Sequence, residues 1–142
     1  MKDLIPYLMF SGNCQEAIKF YKNCFDGKIS FLKKYADLPK DAPMKVKKDN
    51  KNLIMHVTLD LDFGQIMAAD DLENLSNKNS STSIVHLFIN FDDFFIMEKR
   101  FNLLKVGGKV KMELNDTFWG SRFGMIQDKF GINWMFNCEI AN

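Results

Sequence analysis

The sequence lacks an excess of charge of one sign, a long hydrophobic run and a dense set of cysteines. Nineteen basic and eighteen acidic residues leave a net charge of +1. This balance argues against nucleic-acid binding and membrane-surface attachment, because both normally need a basic field. The longest apolar runs, such as LIPYLMF, are far too short to span a bilayer. The opening MKDLIPYLMF shows no signal-peptide pattern, so we predict a cytoplasmic protein.

The three cysteines, Cys14, Cys24 and Cys138, are an odd number and form no CxxC pair. They predict neither a disulfide framework nor a zinc site, and we expect reduced, partly buried thiols. A position next to a helix N-terminus can lower the pKa of a thiol, but the sequence pairs no base with Cys14.

The order of predicted elements repeats once along the 142 residues. LIPYLMF favours a strand, CQEAIKFYKNCF has apolar residues at helical spacing, and KISFLKKY alternates as a strand. After a hairpin, the same order returns about eighty residues further on in SIVHLFINFDDFFIMEKRFNLLKVGGKV. Each half reads β-α-β-β-β, which predicts an α+β fold. We predict a single domain over 1–142, with a first module of about 1–71, a linker over 72–83 and a second module of about 84–142.

Local signals mark the ends of the two predicted helices. Asn13 is a predicted N-cap with Glu16 as its capping-box partner, and Gly27 is placed to end the first helix. The pairs Asp70–Asp71 and Asp92–Asp93 are typical of turn and cap residues. No Ser/His/Asp or Cys/His set can be assembled, so no catalytic residue is assigned and the question of enzyme activity stays open.

Three stretches carry a family resemblance: IPYLMFSGNCQEAIKFY, MHVTLDL and especially DTFWGSRFGMIQDKFGINW. They resemble the vicinal oxygen chelate superfamily, which includes glyoxalase I, extradiol dioxygenases and fosfomycin- and bleomycin-resistance proteins, and within it the PhnB-like branch. The resemblance covers nearly the whole chain and implies that the two βαβββ modules form a glyoxalase-like half-barrel with a concave cavity. That branch is often labelled demethylubiquinone methyltransferase-like, but no glycine-rich nucleotide loop supports a methyltransferase here.

The resemblance also implies a divalent metal held by the first and fourth strands of each module. Carried over to this sequence, those positions are Pro6, Met67, His86 and Met135. Only His86 suits a hard or borderline ion, whereas a catalytic zinc site needs about three protein ligands. We therefore expect no metal cofactor. The alternative is a metal-dependent lyase, isomerase or dioxygenase with a rearranged site around His86. A one-residue slip would replace Pro6 by Tyr7.

The predicted ligand pocket follows from strand alternation together with the resemblance. Alternation groups Trp119, Phe123 and Met125 on one face of their strand, and Trp134 and Phe136 on one face of the last strand. The resemblance places the first group in the cavity and the second beneath the second helix. The full predicted lining is Leu8, Met67, His86, Phe88, Trp119, Phe123, Met125, Asn133 and Met135. Such a lining predicts binding of a small, largely apolar organic ligand. The alternative is that these side chains only fill the space between the sheets.

The resemblance further implies a homodimer, and exposed sheet edges give two chains a physical reason to pair. Whether modules pair within one chain or between chains stays open. We expect a structural role for His56, in the family signature or at the dimer contact. The lysine-rich stretch 36–52 is predicted to be a solvated loop, with a mobile cover over a pocket as the alternative.

Overall fold

The computed structural model describes residues 3–76 and 84–140 and divides into two compact units, residues 1–78 and 79–142. Both units have the element order β-α-β-β-β. The first contains β1 (Tyr7–Phe10), α1 (Cys14–Phe25), β2 (Lys28–Lys34), β3 (Ile54–Leu61) and β4 (Gly64–Asp70). The second contains β5 (Leu87–Phe91), α2 (Phe94–Leu104), β6 (Lys109–Asp116), β7 (Ser121–Gln127) and β8 (Asn133–Glu139). The predicted α+β class with two βαβββ modules is confirmed.

Each unit has one mixed sheet of four strands. The strand order is β1-β4-β3-β2 in the first sheet and β5-β8-β7-β6 in the second. In both sheets the first strand runs parallel to the last one, and the other neighbours are antiparallel. Neither four-stranded sheet closes into a barrel within the described residues.

The connections match part of what the sequence predicted. The stretch 36–52 is described and contains the end of one short 3₁₀ turn, Tyr35–Asp37, and all of another, Lys48–Asn50. The predicted linker over 72–83 starts with a third 3₁₀ turn, Leu72–Asn74, and its part over 77–83 lies outside the described residues. No helix in the described parts of the chain is long and apolar enough to cross a membrane.

The first core forms where α1 packs on β3 and β4. One side of α1 is buried and carries Ala17, Ile18, Tyr21, Cys24 and Phe25 at helical spacing. Facing it are strand residues that are also buried, among them Val57, Leu59, Ile66 and Ala68. Burying a side chain of the size of Val, Leu or Ile contributes about 1.5–3 kcal/mol, so packing of α1 on the two middle strands stabilises the first unit.

The N-terminus of α1 is held by a carboxylate from the last strand of the unit. Asp70 is 1% exposed. Its Oδ1 accepts hydrogen bonds from the backbone N–H groups of Gly12 (3.0 Å) and Cys14 (2.9 Å), and its Oδ2 accepts one from Ile54 N–H (2.8 Å). The predicted capping box at Asn13 is wrong, because the Asn13 side chain makes no cap hydrogen bond.

The C-terminus of α1 also differs from the prediction in detail. The left-handed residue that ends the helix is Asp26, with φ of 51°, rather than Gly27. A Cβ on Gly27 would lie 2.8 Å from Leu61 Cδ2 and 3.1 Å from the Asp60 carbonyl oxygen. Gly27 is therefore required for the close approach of the chain to β3.

In the second unit α2 packs on β5 and β8. Its predicted acidic cap is confirmed, because the Asp93 carboxylate accepts a hydrogen bond from Ile96 N–H at 3.0 Å. The buried ring of Phe101 meets Phe136 edge-on, with 5.5 Å between ring centroids. A Cβ on Gly124 would lie 2.8 Å from Phe101 Cε2, so this glycine in β7 leaves room for the helix.

Candidate functional site

Each sheet has one face covered by its helix and one face turned away from it, which we call the free face. In the second sheet the helix-covered face includes Trp134 and Phe136, because Phe136 packs against Phe101 of α2. Strand alternation then places their neighbours Asn133, Met135 and Asn137 on the free face.

Side chains on the free face of the second sheet form two cross-strand rows. The register aligns one residue from each strand in the first row: Phe88, Met135, Met125 and Met112. The next row contains Asn90, Asn137, Phe123 and Asn115. Asn137 Nδ2 donates to Asn90 Oδ1 at 2.9 Å. A thioether row thus lies beside a row of amides that includes one aromatic ring, which combines an adaptable apolar surface with hydrogen-bonding groups.

The tight turn between β6 and β7 adds aromatic rings to this face. The Thr117 hydroxyl donates to the carbonyl oxygen of Ser121 at 2.9 Å, which closes the turn around Phe118 and Trp119. The Trp119 ring stacks edge-on with Phe123, at 6.0 Å between centroids. A depression of about 530 Å³ lies here, lined by Phe88, Trp119, Gly120, Ser121, Phe123, Asn137, Glu139 and Ile140.

The structure brings most of the predicted pocket residues of the second module onto one face. Phe88, Phe123, Met125, Asn133 and Met135 lie in strands, with side chains on the free face. Two others differ in detail. Trp119 lies in the turn before β7 and is 56% exposed, and His86 precedes β5 and is exposed. Their role in ligand binding stays a prediction.

The two predicted pocket residues of the first module lie on opposite faces of the first sheet. Met67 pairs with Tyr7 and Thr58 on the free face. Leu8 pairs with Ala68, and Ala68 pairs with Val57. This row of residues lies on the face of the sheet that α1 covers. Leu8 therefore lies on the opposite face from the one predicted, because the strand register is shifted by one residue from that of the carried-over positions.

The same shift changes the first-strand position that corresponds to His86. Tyr7 lies opposite Met67 just as Phe88 lies opposite Met135. Two residues before each lie Ile5 and His86, so Ile5 rather than Pro6 is the counterpart of His86.

The residues at the family metal positions do not fit a hard or borderline divalent ion. With Ile5, which precedes β1, as the counterpart of His86, the set offers the His86 imidazole, two thioethers and an alkyl side chain, and thioethers suit soft metals. Across residues 3–76 and 84–140, no group of three or more His, Cys, Asp or Glu side chains is placed to hold a metal ion. The expectation of no metal cofactor itself stays a prediction.

A hydrogen-bonded chain of three side chains lies on the free face of the first sheet and was not predicted from the sequence. The Tyr7 hydroxyl lies 2.8 Å from His56 Nδ1, and His56 Nε2 lies 3.0 Å from Thr58 Oγ1. Alternation in MHVTLDL places His56 and Thr58 on one face, but Tyr7 joins them only through β4, which lies between β1 and β3. No pattern within one stretch of sequence could have revealed this hydrogen-bonded chain.

The environment of these groups determines the form in which they occur. Burial, and secondarily the Cys14 thiol, raises the pKa of Tyr7, which keeps its phenol neutral. Burial, and secondarily the Asp70 carboxylate, also raises the pKa of Cys14. The lowered pKa that a helix N-terminus can give a thiol is therefore not found, because Cys14 is buried beside a negative charge.

Comparison with known proteins agrees with this architecture. The family profile of the Glyoxalase/Bleomycin resistance protein/Dioxygenase superfamily matches residues 4–136. The crystal structure of protein PA1353 from Pseudomonas aeruginosa is 34% identical, with a TM-score of 0.82, over 99% of this chain and 100% of that one. Protein YjdN of Escherichia coli (strain K12) is 28% identical over 94% of this chain and 93% of its own length. The PhnB protein from Bacillus cereus is 23% identical with a TM-score of 0.74, over 96% and 99% of the two chains.

Two βαβββ units, each with its first and last strands paired in parallel, define a glyoxalase-like fold. The chain belongs to the Glyoxalase/Bleomycin resistance protein/Dioxygenase superfamily. Its fold is similar to that of the PhnB protein from Bacillus cereus.

Proposed function

We propose that this protein binds a small, largely apolar organic ligand on the free face of its second sheet, without the metal implied for its superfamily. The observation that carries the proposal is the row of Phe88, Met135, Met125 and Met112 across all four strands. Unbranched thioether side chains adapt to the shape of an apolar ligand at low cost.

The depression beside this row supports the same proposal. Its volume of about 530 Å³ falls within the range of about 300–1,000 Å³ that is common for small-molecule sites. Trp119 and Phe123 supply flat aromatic surfaces, and the amides of Asn90 and Asn137 lie beside them. Aromatic rings beside hydroxyl, amide and carboxylate groups can hold a ligand whose hydrocarbon part packs on the rings while its polar atoms meet the polar groups.

A titration with naphthalene tests this site directly. We expect naphthalene to shift the backbone amide resonances of Phe88, Phe123 and Asn137 in ¹⁵N-labelled protein. Phe123→Ala should weaken binding about tenfold, because it removes an aromatic wall. Phe95→Ala is the matched control, since Phe95 is an exposed phenylalanine on α2, and it should leave binding unchanged. Resonance shifts scattered over the whole surface, or none at saturation, would contradict the proposal.

The metal-dependent alternative is tested with the same preparation. Elemental analysis is combined with calorimetric titration of Ni²⁺, Mn²⁺ and Zn²⁺. We expect no stoichiometric metal and no tight binding. One tightly bound ion per chain that is lost in His86→Ala would replace the proposal by a metal-dependent lyase, isomerase or dioxygenase around His86.

Two further properties remain predictions for this protein. We propose that it forms a homodimer in the cytoplasm, since exposed edge strands such as β2 and β6 are commonly covered by pairing. Sedimentation equilibrium checks the first property, and fractionation of cells checks the second.

A further inference from the structure

We infer that Tyr7, positioned by His56 and Thr58, is the polar anchor of a site on the free face of the first sheet. This site takes a neutral aromatic compound that carries a hydroxyl or carbonyl group. The inference rests on the proposed function, because it requires that the free faces of these sheets accept apolar ligands.

The hydrogen-bonded chain can present either a donor or an acceptor. If His56 carries its proton on Nε2, Tyr7 donates to Nδ1, and the phenol oxygen accepts from a ligand. If the proton is on Nδ1, Thr58 donates to Nε2, His56 donates to the phenol oxygen, and the Tyr7 O–H donates to a ligand carbonyl. A ligand hydroxyl and a ligand carbonyl are therefore both accommodated, with a change of histidine tautomer and no movement of heavy atoms.

The hydrogen-bonded chain is buried at Thr58 and open to solvent at Tyr7. Thr58 is buried, whereas Tyr7 is 46% exposed. A phenol has one O–H and two lone-pair positions, and the contact with His56 uses one of them. The raised pKa of Tyr7 keeps the hydroxyl protonated at neutral pH, so the anchor acts by hydrogen bonding and not as a phenolate.

Apolar groups surround the anchor on the same face. The rings of Tyr7 and Phe31 lie 5.4 Å and 5.7 Å from the His56 ring, measured between centroids. Met67 pairs directly with Tyr7. Met9, two residues further along β1 on the same face, pairs with Ala69. Phe31 and Met9 are 47% and 57% exposed. The Phe31 ring and two thioethers beside the Tyr7 ring favour a flat aromatic ligand over an aliphatic polar one.

The test compares 2-naphthol with naphthalene, which differ only in the hydroxyl group, by NMR titration of the full chain. We expect 2-naphthol to bind about tenfold more tightly and to shift amide resonances in β1, β3 and β4. The ¹⁵N resonances of the His56 ring should shift at the same time, because the chain reorients around the bound hydroxyl.

Two variants separate the anchor from a purely structural role. Tyr7→Phe should remove the preference for 2-naphthol while leaving the affinity for naphthalene within about twofold. Thr58→Val should alter the tautomer balance of His56 and reduce the preference in part. Tyr35→Phe is the control, because it removes a different tyrosine hydroxyl, one that donates to the Asp70 backbone, and it should keep the preference.

The outcomes distinguish the anchor from the proposed function. Equal affinity for the two probes, or a preference that survives Tyr7→Phe, overturns the anchor and leaves the proposed function standing. Perturbation by 2-naphthol confined to the second sheet also overturns the anchor. If neither probe shifts any resonance, both the proposed function and the anchor are refuted.

Discussion

Replacing Asp70 tests how much of the first unit depends on one buried carboxylate. In Asp70→Ala, the N–H groups of Gly12, Cys14 and Ile54 lose their common acceptor. A hydrogen bond to a charged group contributes about 1.5–3 kcal/mol, and such contributions are not additive. We therefore expect a loss of about 3–5 kcal/mol in the free energy of unfolding. A domain has about 5–15 kcal/mol in total, so the loss is severe.

Asp70→Asn gives a graded version of the same test. The amide oxygen of asparagine can still accept the hydrogen bonds from Gly12 and Cys14, but the amide NH₂ then faces the Ile54 N–H, and two donors oppose each other. We expect a loss of about 2 kcal/mol. Asp71→Ala is the matched control, since Asp71 accepts one exposed hydrogen bond from Glu73 N–H, and it should cost about 1 kcal/mol or less.

The assay is urea unfolding followed by far-UV circular dichroism, with the slope of the transition checked for each variant. Both tryptophans, Trp119 and Trp134, lie in the second unit, so fluorescence reports that unit independently. Amide hydrogen exchange at Cys14 and Ile54 should accelerate in Asp70→Ala. The reasoning is refuted if Asp70→Ala is no more destabilising than Asp71→Ala, or if Asp70→Asn equals the wild type.

Three other predictions concern packing, pH and the second unit. Gly124→Ala should cost about 1–3 kcal/mol in stability, because its Cβ would overpack against Phe101. Gly120→Ala meets open space at a φ of +87° and should cost about 1 kcal/mol from backbone strain. Equal melting temperatures for the two variants would contradict this prediction. Burial raises the pKa of Cys14 in the folded state above its ordinary thiol value of 9.0. Stability should therefore fall as pH rises above 9.0, by up to about 1.4 kcal/mol per pH unit. An unchanged dependence of stability on pH in Cys14→Ala would argue against this prediction. Asp128→Asn should cost about 2 kcal/mol in stability, because the new amide NH₂ would face the buried indole N–H of Trp134, which donates to the carboxylate in the wild type. Hydrogen exchange of that indole proton, followed by NMR, checks this prediction.

The repeated element order could be predicted because it depends on local periodicity. The buried side of α1 follows from apolar residues at helical spacing, and the Asp93 cap lies three residues before the N–H that it accepts. The turn DKFG has its glycine at 131, where φ is 91°. Each of these signals lies within a few residues of the structure it specifies.

Predictions of other features failed because the residues that interact are distant in the sequence. The cap of α1 comes from Asp70, 56 residues after Cys14, so the local candidate Asn13 was the wrong choice. Strict alternation would place Ile54 with His56, yet a bulge in the β2–β3 pairing accompanies burial of Ile54 on the α1 side.

In the candidate site, too, features set by local pattern were predicted and features set by distant residues were not. Within the second module, Phe123 and Met125 lie on the free face and Trp134 and Phe136 on the helix side, as alternation together with the resemblance predicted. In the first module the register of β1 depends on β4, which no local pattern displays, so Leu8 was placed on the wrong face. The chain from Tyr7 to Thr58 was missed for the same reason.

The parallel pairing of the first and last strands has a mechanical consequence for each unit. The chain enters the first unit through β1 and leaves through β4, and these neighbours run in the same direction. Tension applied to the two ends therefore slides β1 along β4, so the load is shared by all the hydrogen bonds between them. Antiparallel terminal strands would instead separate one hydrogen bond at a time. Each unit should thus unfold under force only when its terminal pair shears as a whole, a rate set by the barrier to unfolding.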